Sequence, residues 1–189
     1  TGVFGLYDLI GIDLMSDVLK SFIKELSEND PFQEVAKENP LVTKLINTGY
    51  TGRKGKGGFY RINKENNQKV LEAIDLQTGN YSTSKKIDLG IETVNLNLLI
   101  NRKDKYGEYA WSVISKIIKY ASSLVPGITD KFNDIDEAMR LGFNWAMGPF
   151  EMLKSIGVKN FFERIDDFKN NKFLENLSST KNENFYGER

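Results

Sequence analysis

The chain has 189 residues, 40% hydrophobic and 28% charged, which suits one mid-sized domain or two small ones with a real core. Lys plus Arg and Asp plus Glu number 26 each, so no basic field draws nucleic acid and no acidic excess marks a disordered tail. The absence of His and Cys excludes Ser-His-Asp and Cys-His nucleophiles, His bases, Cys/His zinc sites and disulfides, leaving carboxylates, Lys, Tyr or a borrowed partner.

No apolar run approaches the roughly 20 residues of a membrane span. The Thr1-Gly2-Val3 start has neither a signal peptide's basic region nor an initiator Met, and reads as a cut piece or a processed product. Lack of Cys fits a reducing, cytoplasmic compartment.

Val3 to Ile10 has helical apolar spacing, Gly11 suits the position past a helix end, and Asp13 is expected to cap the next helix. In that second helix Met15, Val18, Leu19, Phe22, Ile23 and Leu26 recur at three- and four-residue steps, opposite Asp17, Lys20, Lys24 and Glu25. Asp30-Pro31 and Asn39-Pro40 each place a capping side chain before a Pro at the first helical position, and Gly49 closes the second of these short helices.

The run Gly52-Arg53-Lys54-Gly55-Lys56-Gly57-Gly58 leads into the β-prone Phe59-Tyr60-Arg61-Ile62, and Val70 to Leu76, a Gln77-Thr78-Gly79-Asn80 turn and Tyr81 predict a further strand. Ser82 to Asp88 reads as a connector. A short apolar stretch (Ile91, Val94, Leu98, Leu99) precedes a long amphipathic helix with Ala110, Val113, Ile114, Ile117, Ile118, Ala121 and Leu124 on one stripe, ending before Pro126-Gly127. Asn133 or Asp134 is expected to cap a helix over Ile135–Leu141 that ends at Gly142. Gly148-Pro149 opens another, which stops at Gly157, and from Leu177 the sequence is polar and reads as a frayed tail or linker.

Residues 2 to 12 align with 148 to 158: Gly2, Phe4, Ile10 and Gly11 meet Gly148, Phe150, Ile156 and Gly157. At the same offset Met15, Leu19 and Phe22 fall on Phe161, Ile165 and Phe168. The second copy is preceded by a long helix and by Asp134 to Trp145, whereas the first begins at the start of the chain, so its own leading helices are expected upstream of Thr1.

Asp136-Glu137-Ala138-Met139-Arg140-Leu141-Gly142-Phe143-Asn144-Trp145-Ala146-Met147-Gly148-Pro149-Phe150-Glu151 resembles the C-terminal domain signature of 3-hydroxyacyl-CoA dehydrogenases. Phe4 to Asp13, with Asp8 and Gly11, resembles the helix-turn-helix of that domain, Asp30-Pro31-Phe32 its connector, and Gly52 to Tyr60, with Gly58 and Phe59, its closing strap. The resemblance implies a mainly α fold: a helical bundle of two related dehydrogenase C-terminal-type repeats with a small β hairpin between them. The first repeat would span residues 1–81, the second 82–176, and a tail or linker 177–189.

It further implies an NAD-dependent enzyme of fatty-acid β-oxidation that converts L-3-hydroxyacyl-CoA to 3-ketoacyl-CoA. NAD and a His-Glu catalytic pair would belong to an upstream Rossmann domain, so this fragment would carry no catalytic residue, cofactor site or metal and would be inactive alone. The helical domain of the family covers the acyl-CoA, supplies an Asn and commonly mediates dimerisation; here Trp111 takes the place of that Asn. Tandem copies resemble the long multifunctional β-oxidation proteins, which also carry an enoyl-CoA hydratase module. The missing His then locates the chemistry upstream of Thr1.

Several residues have two readings. Gly52 to Gly58 has phosphate-loop spacing, with Arg53, Lys54 and Lys56 as contacts for CoA phosphates, but the Lys-Ser/Thr pair and a following helix are missing, which favours a structural turn. Gly148-Pro149-Phe150-Glu151 could line a pocket or simply start a helix. Asp8 and Asp13 do not share a helix face by spacing, and Asp134, Asp136 and Glu137 suit a helix N-terminus better than a cation. Trp111, Trp145, Phe161, Phe162 and Phe168 fit a core better than an interface patch. A non-catalytic helical scaffold with the same fold is the alternative function, and a 6-phosphogluconate-type dehydrogenase is disfavoured by the strap.

Overall fold

The computed structural model describes residues 2–65, 68–85, 95–180, 182 and 185–186, which belong to two compact units, Thr1–Ile87 and Asp88–Arg189. The expected apolar positions Ile91 and Val94 and the end of the Ser82 to Asp88 stretch lie outside the described residues, and Ser82 and Thr83, expected in a connector, belong to a strand because they pair with Ala73 and Glu72.

In the first unit α1 (Val3–Ile10) and α2 (Ile12–Glu25) meet at Gly11, whose φ of 117° and N–H, donated to the Tyr7 carbonyl (2.8 Å), end one helix and begin the next. A Cβ there would press on Asp13 and Lys54 in a conformation L side chains rarely adopt. Because Gly11 takes the capping position, Asp13 does not cap: it lies in the first turn of α2 and pairs with Lys54 Nζ at 2.9 Å. Of the two Pro-led turns, Asn39-Pro40 starts its helix as expected, whereas Pro31 sits at the N-cap of its helix and not at the first position, so Asp30 bonds from one residue further out. Asp30 Oδ1 accepts the Phe32 amide (2.8 Å) ahead of α3 (Phe32–Val35), and Asn39 Oδ1 accepts the Leu41 amide (2.9 Å) at the start of α4 (Pro40–Asn47).

In place of the expected hairpin, three antiparallel strands follow in the order β1 (Tyr60–Glu65), β2 (Gln68–Ile74), β3 (Tyr81–Thr83), with Tyr60 opposite Ala73 and, across the turn that adds the third strand, Ile74 opposite Tyr81. The strand predicted to reach Leu76 stops at Ile74 because Asp75 Oδ1 takes the amides of Gln77 and Thr78, curling the chain into the turn. Ile12, Leu45, Phe59 and Ile74 form the core of this unit.

The second unit contains α5 (Leu96–Ile100), α6 (Lys105–Ser123), α7 (Phe132–Phe143), α8 (Pro149–Ile156), α9 (Val158–Phe162) and α10 (Lys172–Thr180). Asp104 caps α6 by accepting the amides of Tyr106 and Gly107 (both 3.1 Å). Helix α7 begins earlier than predicted, at Phe132, whose ring packs 5.2 Å from Phe150; neither Asn133 nor Asp134 caps it, and Asp134 accepts the Thr129 hydroxyl instead. It also runs through Gly142, and Asn144 (φ 54°) takes the left-handed ending expected of that glycine.

The core joins Ile118 of α6 to Leu153 and Ile156 of α8, Phe161 of α9, and Leu174 and Leu177 of α10. Phe161 is fully buried, with Trp111 edge-on at 5.8 Å and Phe162 4.9 Å from Phe168, so these aromatics build the core. The polar tail expected from Leu177 is in part packed: Leu177 is buried, and Phe185 lies 5.6 Å from Phe132. Among the described residues no helix is long and apolar enough to cross a membrane.

Candidate functional site

Helix α1 places Asp8 at the centre of the first unit, 3% exposed, where its two carboxylate oxygens accept the amides of Phe59 and Tyr60, each at 2.8 Å. Its carbonyl accepts the Arg53 amide at 2.7 Å. The strap is thereby sewn to α1 at both ends. Gly52 and Gly58 are required by this closeness: a Cβ on Gly52 would run into the Asp8 backbone, and one on Gly58 into the Asp8 carboxylate. Phe59 then packs 4.7 Å from Phe4 and 6.0 Å from Tyr7. The Tyr81 hydroxyl donates to the Gly58 carbonyl, and burial pushes its pKa up to about 12.

The basic residues of the strap diverge. Lys54 pairs with Asp13, the Lys56 ammonium donates to the Thr48 carbonyl (3.2 Å), and Arg53 lines a cleft beside Gly2, Gly5 and Tyr60. Arg61 belongs to β1, paired with its cross-strand neighbour Glu72 at 2.6 Å under the Tyr81 ring. The strap runs into strand β1 and not into a helix, so no helix N-terminus follows it to face a pyrophosphate.

On the other side of the strap, α1, α2 and α4 enclose an apolar groove of about 480 Å³ whose walls include Phe4, Tyr7, Met15, Leu19, Leu41 and Val42. Val3, Phe4, Leu6, Leu9 and Ile10 of α1 are exposed, an apolar surface larger than scattered single residues would give. The N-cap of α1, Gly2, provides no side-chain acceptor.

In the second unit the start of α8 is covered. Phe150 and Leu153 of α8 are fully buried, and Asp136 of α7, 1% exposed, accepts the amides of Phe150 (2.8 Å) and Glu151 (3.0 Å) and the Tyr186 hydroxyl (2.8 Å). Burial raises the Asp136 pKa. Glu151 in turn accepts the Gly148 amide (2.9 Å) and pairs with Arg140 (2.9 Å), so Gly148, Pro149, Phe150 and Glu151 form a helix start held from a neighbouring helix. Gly157 (φ 85°) separates α8 from α9. Sequence spacing singled out Asp136 as a helix-start acid but missed that it caps α8 from α7; its fixed distance ahead of Gly148 was the available signal. Tyr186 was missed altogether. Trp111, in the place of the expected Asn, is covered by the Arg164 guanidinium at 3.8 Å. Among the described residues no group of acids forms a metal site.

A helical unit closed by a glycine strap defines the class, and comparison with known families agrees. The chain belongs to the family described as 3-hydroxyacyl-CoA dehydrogenase, C-terminal domain, which matches residues 1–62 and 109–178. It is 40% identical over 165 residues to a putative fatty acid oxidation complex trifunctional enzyme of Rickettsia felis, covering 87% of this chain and 22% of that protein. The corresponding protein of Rickettsia prowazekii is 39% identical over the same shares. A probable 3-hydroxyacyl-CoA dehydrogenase of Bacillus subtilis is 26% identical over 98% of this chain and 24% of that protein. The chain thus spans about a quarter of the length of the curated relatives it matches. No solved structure matches it significantly.

Proposed function

We propose that the chain is the C-terminal helical part of an NAD-dependent 3-hydroxyacyl-CoA dehydrogenase of fatty-acid β-oxidation, which interconverts L-3-hydroxyacyl-CoA and 3-ketoacyl-CoA. It shapes the acyl-CoA side of the site and a subunit interface and is inactive alone. The observation that carries this reading is family membership across two stretches of the chain, together with relatives named for fatty-acid oxidation. NAD is assigned elsewhere in the polypeptide: the chain has no His, and its glycine strap lacks the helix that would receive the dinucleotide phosphates. A Rossmann domain and, given the trifunctional relatives, an enoyl-CoA hydratase module are the proposed neighbours, with a homodimer and a cytoplasmic setting as further expectations.

Within this proposal the two matched stretches are two copies of one repeat, assigned to residues 1–81 and 82–176. Each has a helix–Gly–helix with glycine at positive φ (Gly11 and Gly157) and a Phe-Tyr pair close to the first of those helices. Phe59-Tyr60 lies against Asp8. Phe185-Tyr186 includes a ring 5.5 Å from the ammonium of Lys154, the residue aligned with Asp8. The Gly52–Gly58 strap is read as a structural clasp, since Lys54 and Lys56 are already engaged within the unit.

The test is removal of residues 1–189 from the intact gene product. Loss of 3-hydroxyacyl-CoA oxidation is expected. Unchanged oxidation overturns the assignment.

A further inference from the structure

An antiparallel sheet with one face on the core normally turns polar side chains outwards, and the sheet of the first unit does not. Ile74 and Tyr81 pack into the core, with the Arg61 guanidinium over the Tyr81 ring. Strand alternation sends Tyr60, Ile62 and Lys64 of β1 and Lys69, Leu71 and Ala73 of β2 to the other face. The register stacks them as three opposed pairs: Tyr60 with Ala73, Ile62 with Leu71, and Lys64 with Lys69. Ile62 is 64% exposed, Leu71 51% and Tyr60 38%, so the middle of this face is apolar and uncovered.

The exposed charges on the same face share one sign. Lys64 and Lys69 stand directly opposite each other, one residue from the ends of their strands, an arrangement that repels and weakens the sheet. Arg53, also exposed, lines a cleft together with Tyr60, Ile62 and Leu71. Among the described residues no carboxylate pairs with Lys64, Lys69 or Arg53. Asp8 borders the cleft too, but it is buried and its oxygens are taken by the Phe59 and Tyr60 amides. In a chain of zero net charge this is a local cationic surface with an aliphatic centre.

A small aqueous anion answers the charges but leaves the aliphatic groups in water. A specific protein partner covers about 20–30 residues a side, far more than this patch. An anionic bilayer answers both parts: headgroup phosphates take the cations, Lys stems and aliphatic side chains lie at the acyl boundary, and Tyr sits with its hydroxyl in the interface.

We propose that the outward face of this sheet is a peripheral contact for an anionic phospholipid bilayer. Ile62 and Leu71 enter the headgroup–acyl boundary, and Lys64, Lys69 and Arg53 meet lipid phosphates. The contact is shallow and reversible, needs no membrane-crossing helix, and does not depend on the dehydrogenase reading.

Co-sedimentation of the intact gene product with lipid vesicles tests this. Vesicles of equal parts phosphatidylglycerol and phosphatidylcholine are expected to carry it down, pure phosphatidylcholine to leave it in solution, and rising salt to release it. Lys64→Gln combined with Lys69→Gln is expected to weaken partitioning at least about tenfold, and Ile62→Ser at least about fivefold. Relief of the opposed lysines is expected to raise the unfolding temperature of the double variant, which separates lost binding from lost folding. No sedimentation with the anionic vesicles, equal sedimentation with both kinds, or partitioning unchanged in both variants overturns the proposal. So does capture by immobilised polyglutamate that the anionic vesicles fail to compete, which makes the face a contact for acidic protein.

Discussion

Asp8 and Phe59, 51 residues apart in the chain, are joined by a buried 2.8 Å bond from the Phe59 amide to the Asp8 carboxylate. The same carboxylate takes the Tyr60 amide, so one side chain on α1 fixes the end of the strap and the first residue of β1. Asp8→Ala is expected to orphan both amides and lower the stability of the first unit by on the order of 3 kcal/mol. Asp8→Asn, which keeps one acceptor oxygen, is expected to cost about half as much. Urea unfolding followed separately for the two units gives the comparison; equal effects of both variants would remove the paired-acceptor role.

Asp136 carries the matching load in the second unit, and its titration has a definite sign. Burial raises its pKa above the ordinary 3.8. Its carboxyl therefore contributes stability fully below the unfolded pKa, and that contribution is lost as pH rises through the folded pKa. Tyr186→Phe withdraws a donor to the charged form and is expected to raise the pKa further, moving the loss to higher pH. Carboxyl chemical shifts across the titration report both midpoints, and a downward shift in the variant would contradict the assignment.

At the head of α6 the sign is reversed. The Arg102 guanidinium beside Asp104 holds its carboxyl down to about 2, helped by the Gly107 and Tyr106 amides. Its stabilising contribution is present above the ordinary carboxylate pKa and is lost as pH falls through about 2. In Arg102→Ala the Asp104 midpoint is expected to rise, and Gly107 amide exchange to accelerate at a higher pH than in the parent. An unmoved midpoint would show that the ion pair is not the cause.

Arg53, Lys54 and Lys56 changed together to Ala are expected to leave CoA affinity of the intact gene product unchanged within twofold, an effect of about 0.4 kcal/mol or less. Lys54→Ala within that set frees Asp13 and is expected to leave the stability of the unit little changed, as loss of an exposed ion pair does. Isothermal titration with CoA measures the affinity. A tenfold loss would turn the strap into a phosphate site.

Helix boundaries marked by backbone-restricting residues could be read from the sequence: Gly11, Asn39-Pro40 and Gly157 each sit where their conformational preference places them. Boundaries set by tertiary packing could not. Phe132 starts α7 early because Phe150 and Phe173 hold its ring, and Asp13 is no cap because Gly11 already occupies that position and Lys54 approaches from the strap. The site shows the same division. Gly52 and Gly58 announced a tight loop, but that Asp8 is what crowds them depends on a contact across half the first unit, and Tyr186 reaches Asp136 from 50 residues away.

NADH formation from L-3-hydroxyacyl-CoA and NAD, followed in parallel for the intact gene product and for residues 1–189 alone, bears most directly on the function. Turnover by the intact product and none by the 189-residue chain is the expected result. Turnover by the chain alone, or none by the intact product, would contradict the assignment of this chain as the non-catalytic helical part of a 3-hydroxyacyl-CoA dehydrogenase.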